Sequence, residues 1–424
     1  METSLEKGRG QVRFSIPDQR VFKVIRGRDV PPLGRKQIFD IFRDGIRACS
    51  PPDIQTRKIA LIIPDDTRLW ARGDLFVPCI VKTLIELGAS LERIKIIIAL
   101  GTHQAIPADQ FAGLAGEFCA GKVLILNSAN QDADRLVPMG RTSLGTDLTI
   151  TKEAWEADHI IIFGGILHHL IAGFGGGRKY ILPGIAGYEA IQQNHSLAIT
   201  REGLPHPQVA QAVLSGNPVN QDMEEGAALF LKDKTSCYAA VAANGEGQIF
   251  YAAVGDVHDT FRQGCHRLNH ACCAPIETKG DFALISAGGH RTDAQLYQAT
   301  KALFNAINGV KPGGQILFVA ACDQGEGNLV FARALKEFRD CPEKIGKKLA
   351  ASFDMPSYVA FRVMDILARY RVTLVSDLEE SRTRELGFGF ARDVDDFIQN
   401  LTGRGYIIPH GENILPLAEK AAAE

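Results

Sequence analysis

From about residue 58 onward the chain alternates short apolar runs with stretches whose apolar residues recur at helical spacing. Residues 58–66 (KIALIIPDD), 93–103 (RIKIIIALGTH), 122–127 and 158–166 (DHIIIFGGI) read as strands. They are apolar on both faces rather than alternating, the pattern of parallel strands covered by helices on both sides. Residues 73–88 place apolar side chains on one helical face, with Gly88 as terminator. Residues 182–195 predict a short helix with Pro183 in its first turn, delivering His195 near its far end. Residues 237–256 predict two strands around an Asn244-Gly245 turn. After a linker at 271–279 (ACCAPIETK) the pattern resumes, with strands over 280–289, 315–321, 371–378 and 406–409. Helices are expected over 294–309 and 328–338, and 385–401 reads as mostly helical. The first fifty residues carry weaker strand signals. No repeat at a fixed period occurs, and the alanine-rich tail at 421–423 is the one biased segment.

Strands alternating with helices predict the α/β class. The length of 424 residues exceeds one ordinary core. Two α/β domains are therefore expected, 1–272 and 273–424, with largely parallel sheets facing each other across an active-site cleft. A net charge of −2, with basic residues spread along the chain, provides no nucleic-acid footprint. No apolar run reaches the length of a membrane span. The start, METSLEKGRGQ, has no apolar core of a secretion signal. Nine cysteines, with no CxxC pair and two adjacent at Cys272-Cys273, predict reduced thiols rather than a disulfide framework. A cytoplasmic protein without nucleic-acid or membrane partners is expected.

The polar residues fall at informative places. Residues 65–68 (Asp-Asp-Thr-Arg), 101–103 (Gly-Thr-His) and 164–169 (Gly-Gly through His168-His169) follow the C-terminal ends of predicted strands. Ligands bind at that edge of an open parallel sheet, where loops from neighbouring strands meet. In the second half, Gly288-Gly289-His290-Arg291 also follows a strand, and Gln298 and Lys301 share a helix face. Singly, each has a structural reading: Asp65 to Thr67 as a helix cap with Arg68 solvated, His103 as a hydrogen-bonded loop residue, Gln298 and Lys301 as solvated surface.

The segment 168–179, HHLIAGFGGGRK, puts two imidazoles, a glycine loop and an Arg-Lys pair within twelve residues. Glycine loops let backbone approach a phosphate or planar cofactor closely. Yet Arg178 stands where both the Walker and the GxGxxG patterns need glycine, so neither ATP cleavage nor a Rossmann dinucleotide is supported. The histidines match neither HExxH nor zinc-finger spacing.

These residues resemble the nickel-dependent lactate racemases and their 2-hydroxyacid racemase and epimerase relatives. The resemblance is carried by DDTR at 65–68, GTH at 101–103, HLIAGFGGGRKYILPGIAGYEAIQQNH at 169–195 and GGHRTDAQLYQATKA at 288–302. It implies a nickel-pincer nucleotide, a pyridinium mononucleotide bearing sulfur groups, attached covalently to Lys179. His195 is implied as the protein ligand of nickel, a donor suited to a square-planar site with soft sulfur. It further implies His103 and His169 as the catalytic acid/base pair. Asp65, Asp66, Thr67 and Arg68 are implied in the cofactor pocket, and Arg68, Tyr297, Gln298 and Lys301 as substrate contacts. The implied activity is inversion of C2 of a 2-hydroxyacid by reversible hydride transfer. The implied partners are the substrate and, transiently, cofactor-synthesis enzymes.

The sequence departs from the lactate enzymes at Gly175, where they carry serine, and at His290-Arg291, where they carry a Tyr-Pro-like pair. Histidine and arginine near the substrate suit something larger or more polar than lactate, malate- or gluconate-like. Tyr358 is a candidate for an aromatic residue bordering the substrate. The alternatives are lactate racemase itself, a non-catalytic carrier of the nickel-pincer cofactor, and a zinc-dependent hydrolase or lyase using the same histidines.

Overall fold

The computed structural model describes residues 1–418, and the alanine-rich tail at 421–423 lies outside them. The chain forms two compact units. One comprises Val30–Ala198 and Pro207–Leu268; the other comprises Met1–Asp29, Ile199–His206 and Asn269–Glu424.

The first unit is built on a mixed sheet in the order Ile249–Gly255, Thr235–Ala243, His159–His169, Ile59–Pro64, Ile94–Ala99, Leu124–Asn127. All neighbours run parallel except the first pair, which is an antiparallel hairpin. Ile59–Pro64 is buried at every residue, as its unbroken apolar run requires. The helices Arg35–Cys49 and Gly73–Glu86 cover one face, where the rings of Phe42 and Phe76 meet edge-on at 5.4 Å.

The second unit carries a six-stranded, wholly parallel sheet in the order Gly389–Phe390, Arg371–Val375, Val310–Val319, Gly280–Ser286, Gly405–Ile408, Val21–Val24. The last pairing corrects the expected division at 272/273. Residues 1–29 join the C-terminal half, because Val21 and Val24 pack on the core containing Leu284 and Ile407.

Several expected elements differ. Residues 271–279 are no linker: the helix Val257–Cys272 runs directly into the strand Cys273–Ile276, which pairs with Leu415–Ala418. The single helix over 294–309 is broken into His290–Asp293, Leu296–Ala299 and Lys301–Ala306. The amides of Leu296 and Tyr297 are drawn to the carbonyls of Gly325 and Glu326 instead of to their own preceding turn. Residues 385–401 contain the strand Gly389–Phe390 ahead of the helix Val394–Gln399. The helices Arg35–Cys49, Pro218–Leu231, Pro342–Ala351 and Met355–Arg369 add to the expected set. All nine cysteines are free thiols. Among the described residues no helix is long and apolar enough to cross a membrane.

Candidate active site

Parallel strands end in loops on one edge of the sheet, and in the first unit three of those ends carry the chemistry. After Ile59–Pro64 the chain turns into a short 3-10 segment capped by Asp65, whose Oδ1 accepts from the amide and hydroxyl of Thr67. Its other oxygen faces Nδ1 of His103, which lies beyond the strand Ile94–Ala99. Asp65 is 4% exposed, whereas the His103 side chain is 55% exposed. Burial alone would raise the Asp65 carboxyl. The hydrogen bonds from His103 and Thr67, with the charges of His103 and Arg68, outweigh it and hold the group below the usual carboxylate value. Asp65 thus acts on His103, and Thr67 on Asp65. Asp66 is exposed, and Arg68 is half-buried with Nη1 donating to the Thr67 carbonyl at 3.0 Å.

The third strand runs on to His169, three residues beyond the expected end, because Gly173–Gly175 folds back and pairs with residues 167–169. The His169 Nδ1 accepts from the amides of Ile171 at 3.3 Å and Ala172 at 3.2 Å. His168 points elsewhere, its ring 5.2 Å from that of Phe174.

Lys179 lies in the 3-10 turn Gly177–Tyr180, and His195 lies near the end of the helix Tyr188–Ser196. Burial, then the charges of Arg68 and Arg178, push the Lys179 ammonium down to about 7 against the pull of Asp65. Burial, then Lys179, pushes His195 down to about 3. Burial, followed by Lys179, Arg68, His195 and Arg178, holds His169 well below the usual histidine value. These mutual influences tie Asp65, Arg68, His169, Lys179 and His195 into one cluster, with His103 joined through Asp65.

The glycine loop is required by packing. A Cβ at Gly176, whose φ is +104°, would lie 2.7 Å from the Tyr238 hydroxyl. At Gly177, φ +54°, it would lie 2.9 Å from Phe261. The loop closes around Arg178, which is 4% exposed. Its guanidinium donates to Asn220 Oδ1 at 2.8 Å and to the carbonyls of Ala172, Phe174 and Gly176 at 2.9, 3.0 and 3.1 Å, and it stacks on Phe261. Arg178 was not among the sequence candidates. The signal was the residue itself: arginine inside a glycine loop, where no phosphate motif places it.

The donor set fits the cofactor that the resemblance implies. A half-buried lysine with its ammonium pushed to about 7 is partly free amine at neutral pH, as attachment to an acyl-type carbon requires. A buried imidazole kept neutral offers a lone pair to nickel. Among the described residues no group of three or more His, Cys, Asp or Glu side chains is placed to hold a metal ion. A zinc centre held by protein alone thus has no ligand set there, whereas a metal already held by a cofactor needs only one imidazole.

The remaining candidates lie in the second unit. Gln298 and Lys301 are both exposed, one turn apart. The Tyr297 ring packs edge-on against Phe331, and burial pushes its hydroxyl up to about 12. Tyr358, the suggested substrate border, is buried and accepts a hydrogen bond from Arg362 at 3.0 Å. His290 and Arg291 have local partners. His290 Nε2 lies 3.2 Å from the Arg9 guanidinium and Nδ1 3.8 Å from Asp323, and Arg291 pairs with Glu412 at 3.6 Å.

Two family models match the chain, one described as the lactate racemase N-terminal domain over residues 7–204 and one as the lactate racemase C-terminal domain over 276–404. The chain is 25% identical to the lactate racemase of Thermoanaerobacterium thermosaccharolyticum, with 96% of this chain and 97% of that protein covered. It is 29% identical to the lactate racemase of Lactiplantibacillus plantarum, over 76% and 74%. Its fold matches the solved lactate racemase apoprotein of Thermoanaerobacterium thermosaccharolyticum with a TM-score of 0.86 at 24% identity, covering 98% and 100%. A Thermotoga maritima protein shares the fold at a TM-score of 0.65 and 15% identity, covering 92% and 99%.

Proposed function

This chain belongs to the lactate racemase family, and we propose that it is an isomerase inverting C2 of a short 2-hydroxyacid, with lactate the first candidate. One observation carries the reading: His103, bound through Nδ1 to Asp65, and His169 follow the C-terminal ends of parallel strands, and Lys179, Arg68 and His195 lie near enough to act on His169 electrostatically. Lactate is put ahead of the larger or more polar substrate suggested by His290 and Arg291 because the relatives are lactate racemases, and Arg9, Asp323 and Glu412 lie beside both side chains.

Lys179 would tether the nickel-pincer nucleotide and His195 would bind its nickel. When bound, that group supplies a reversible acceptor for the C2 hydride, which avoids making a carbanion beside a carboxylate. The protein's own residues do the rest. Arg68 binds the substrate carboxylate through charge-assisted hydrogen bonds. His103 and His169 handle the hydroxyl proton, with Asp65 stabilising positive charge on His103. Gln298 and Lys301 are both exposed, and their part in substrate binding is what the resemblance implies.

The test uses protein made alongside cofactor-synthesis enzymes, so that Lys179 is loaded. Each enantiomer of lactate, malate and phenyllactate, and gluconate, is incubated in heavy water and followed by chiral chromatography and mass spectrometry. Lactate should interconvert with its C2 hydrogen retained. Loaded protein that leaves every acid unchanged, or that exchanges C2 with solvent, would overturn the reading.

A further inference from the structure

The two histidines of the cluster are hydrogen-bonded in opposite senses. At His103 the partner of Nδ1 is a carboxylate that only accepts, so Nδ1 carries the proton and Nε2 holds the lone pair. At His169 the partners of Nδ1 are two backbone amides that only donate, from Ile171 at 3.3 Å and Ala172 at 3.2 Å. Nδ1 therefore holds the lone pair, and the proton of the neutral ring sits on Nε2.

The peptide that enforces this is gripped from behind. The Ile171 carbonyl belongs to the same peptide plane as the Ala172 amide, and it accepts from Asn217 Nδ2 at 2.9 Å. Asn217 is fully buried, and its own orientation is fixed. Its Oδ1 caps the helix Pro218–Leu231 by accepting from Val219 at 3.1 Å and Asn220 at 3.3 Å, which leaves Nδ2 aimed at Ile171 and Val213. The next carbonyl, that of Ala172, is held by Arg178 at 2.9 Å. Rotation of the Ile171–Ala172 peptide would break the bond from Asn217 to the Ile171 carbonyl and the bond from the Ala172 amide to His169.

We propose that the two rings rest in opposite tautomers, His103 with its lone pair on Nε2 and His169 with its proton on Nε2. Asn217 is the positioning residue that sets this through the Ile171–Ala172 peptide. The assignment does not rest on the 2-hydroxyacid reading.

The tautomers can be read without substrate. In full-length protein labelled with nitrogen-15 histidine, long-range proton–nitrogen correlation should show His169 protonated at Nε2 and His103 protonated at Nδ1, with signals assigned by loss in His169→Gln and His103→Gln. Asn217→Asp keeps the capping oxygen but places a carboxylate against the Ile171 carbonyl, and it should shift His169 toward the Nδ1–H form. Asn217→Ser, which also keeps a capping oxygen and removes the donor, serves if the aspartate variant does not fold. A wild-type His169 protonated at Nδ1, or an Asn217→Asp spectrum unchanged from wild type, would overturn the assignment. Loaded wild type inert toward every hydroxyacid would overturn the substrate reading instead, and the nitrogen spectrum would still decide the tautomers.

Discussion

Asp65 holds His103 by Nδ1 from a buried position, with Thr67 on its other oxygen, although the two residues end different strands of the same sheet. A carboxylate at that nitrogen fixes the ring's tautomer and favours the imidazolium that forms when Nε2 takes a proton. Asp65→Asn keeps the volume but can present an N–H to the ring and reverse the tautomer. Its kcat should fall roughly 100- to 10,000-fold with KM little changed, measured on loaded enzyme whose circular dichroism matches wild type.

The same carboxyl makes stability depend on acid. Its folded value is depressed, so its contribution is present above the unfolded value of about 4 and is lost as pH falls through the folded value. Urea midpoints of wild type and Asp65→Asn should differ at neutral pH and converge below about pH 4. Parallel curves down to pH 2 would show that the Asp65–His103 contact contributes nothing to folding.

Lys179 has the opposite pH sign. Its folded value of about 7 lies below the usual lysine value, so the folded protein binds fewer protons than the unfolded chain between the two, and stability rises with pH across that window. Lys179→Met should stabilise the unloaded protein at pH 6 by about 1–3 kcal/mol, with the gain fading toward pH 10, by thermal denaturation at each pH. Intact mass should show attachment in the wild type alone, faster as pH rises through 7.

His195 and Lys179 should be separable. His195→Ala is expected to keep the nucleotide mass on Lys179 while losing nickel, read as the metal-to-protein ratio beside the intact mass. Nickel retained at wild-type stoichiometry would place the metal's protein ligand elsewhere.

Arg178 is the structural keystone of the loop. Arg178→Lys cannot reach three carbonyls and Asn220 together, so it should cost about 2–4 kcal/mol in urea denaturation, through buried acceptors left unpaired. A midpoint within error of wild type would mean that the loop closes without the guanidinium.

Because Arg9 and Glu412 engage them, His290→Ala and Arg291→Ala should leave the ratio of kcat/KM for lactate to that for malate within about threefold of wild type. A selective loss of activity toward malate would favour the more polar substrate.

The α/β class and most strands of both sheets were legible in the chain, since a strand buried on both faces must be apolar throughout, as Ile59–Pro64 is. The part of the candidate cluster formed by Asp65, Arg68, His103 and His169 was legible for a related reason: these residues follow strand ends, and parallel strands bring their ends to one edge. What the sequence hid is carried by long-range pairing. Val21–Val24 reads as a weak N-terminal strand, and only its pairing with Gly405–Ile408 assigns it to the other unit. The helix over 294–309 kept its periodicity but lost its hydrogen bonds to Gly325 and Glu326, partners that no local pattern announces. The histidines show the limit most clearly. Their presence and spacing were fixed by the chain, but which nitrogen of each carries the proton is decided by Asp65, 38 residues from His103, and by Asn217, 46 residues from Ile171. A tautomer depends on what faces the ring in space, and only the folded chain determines that.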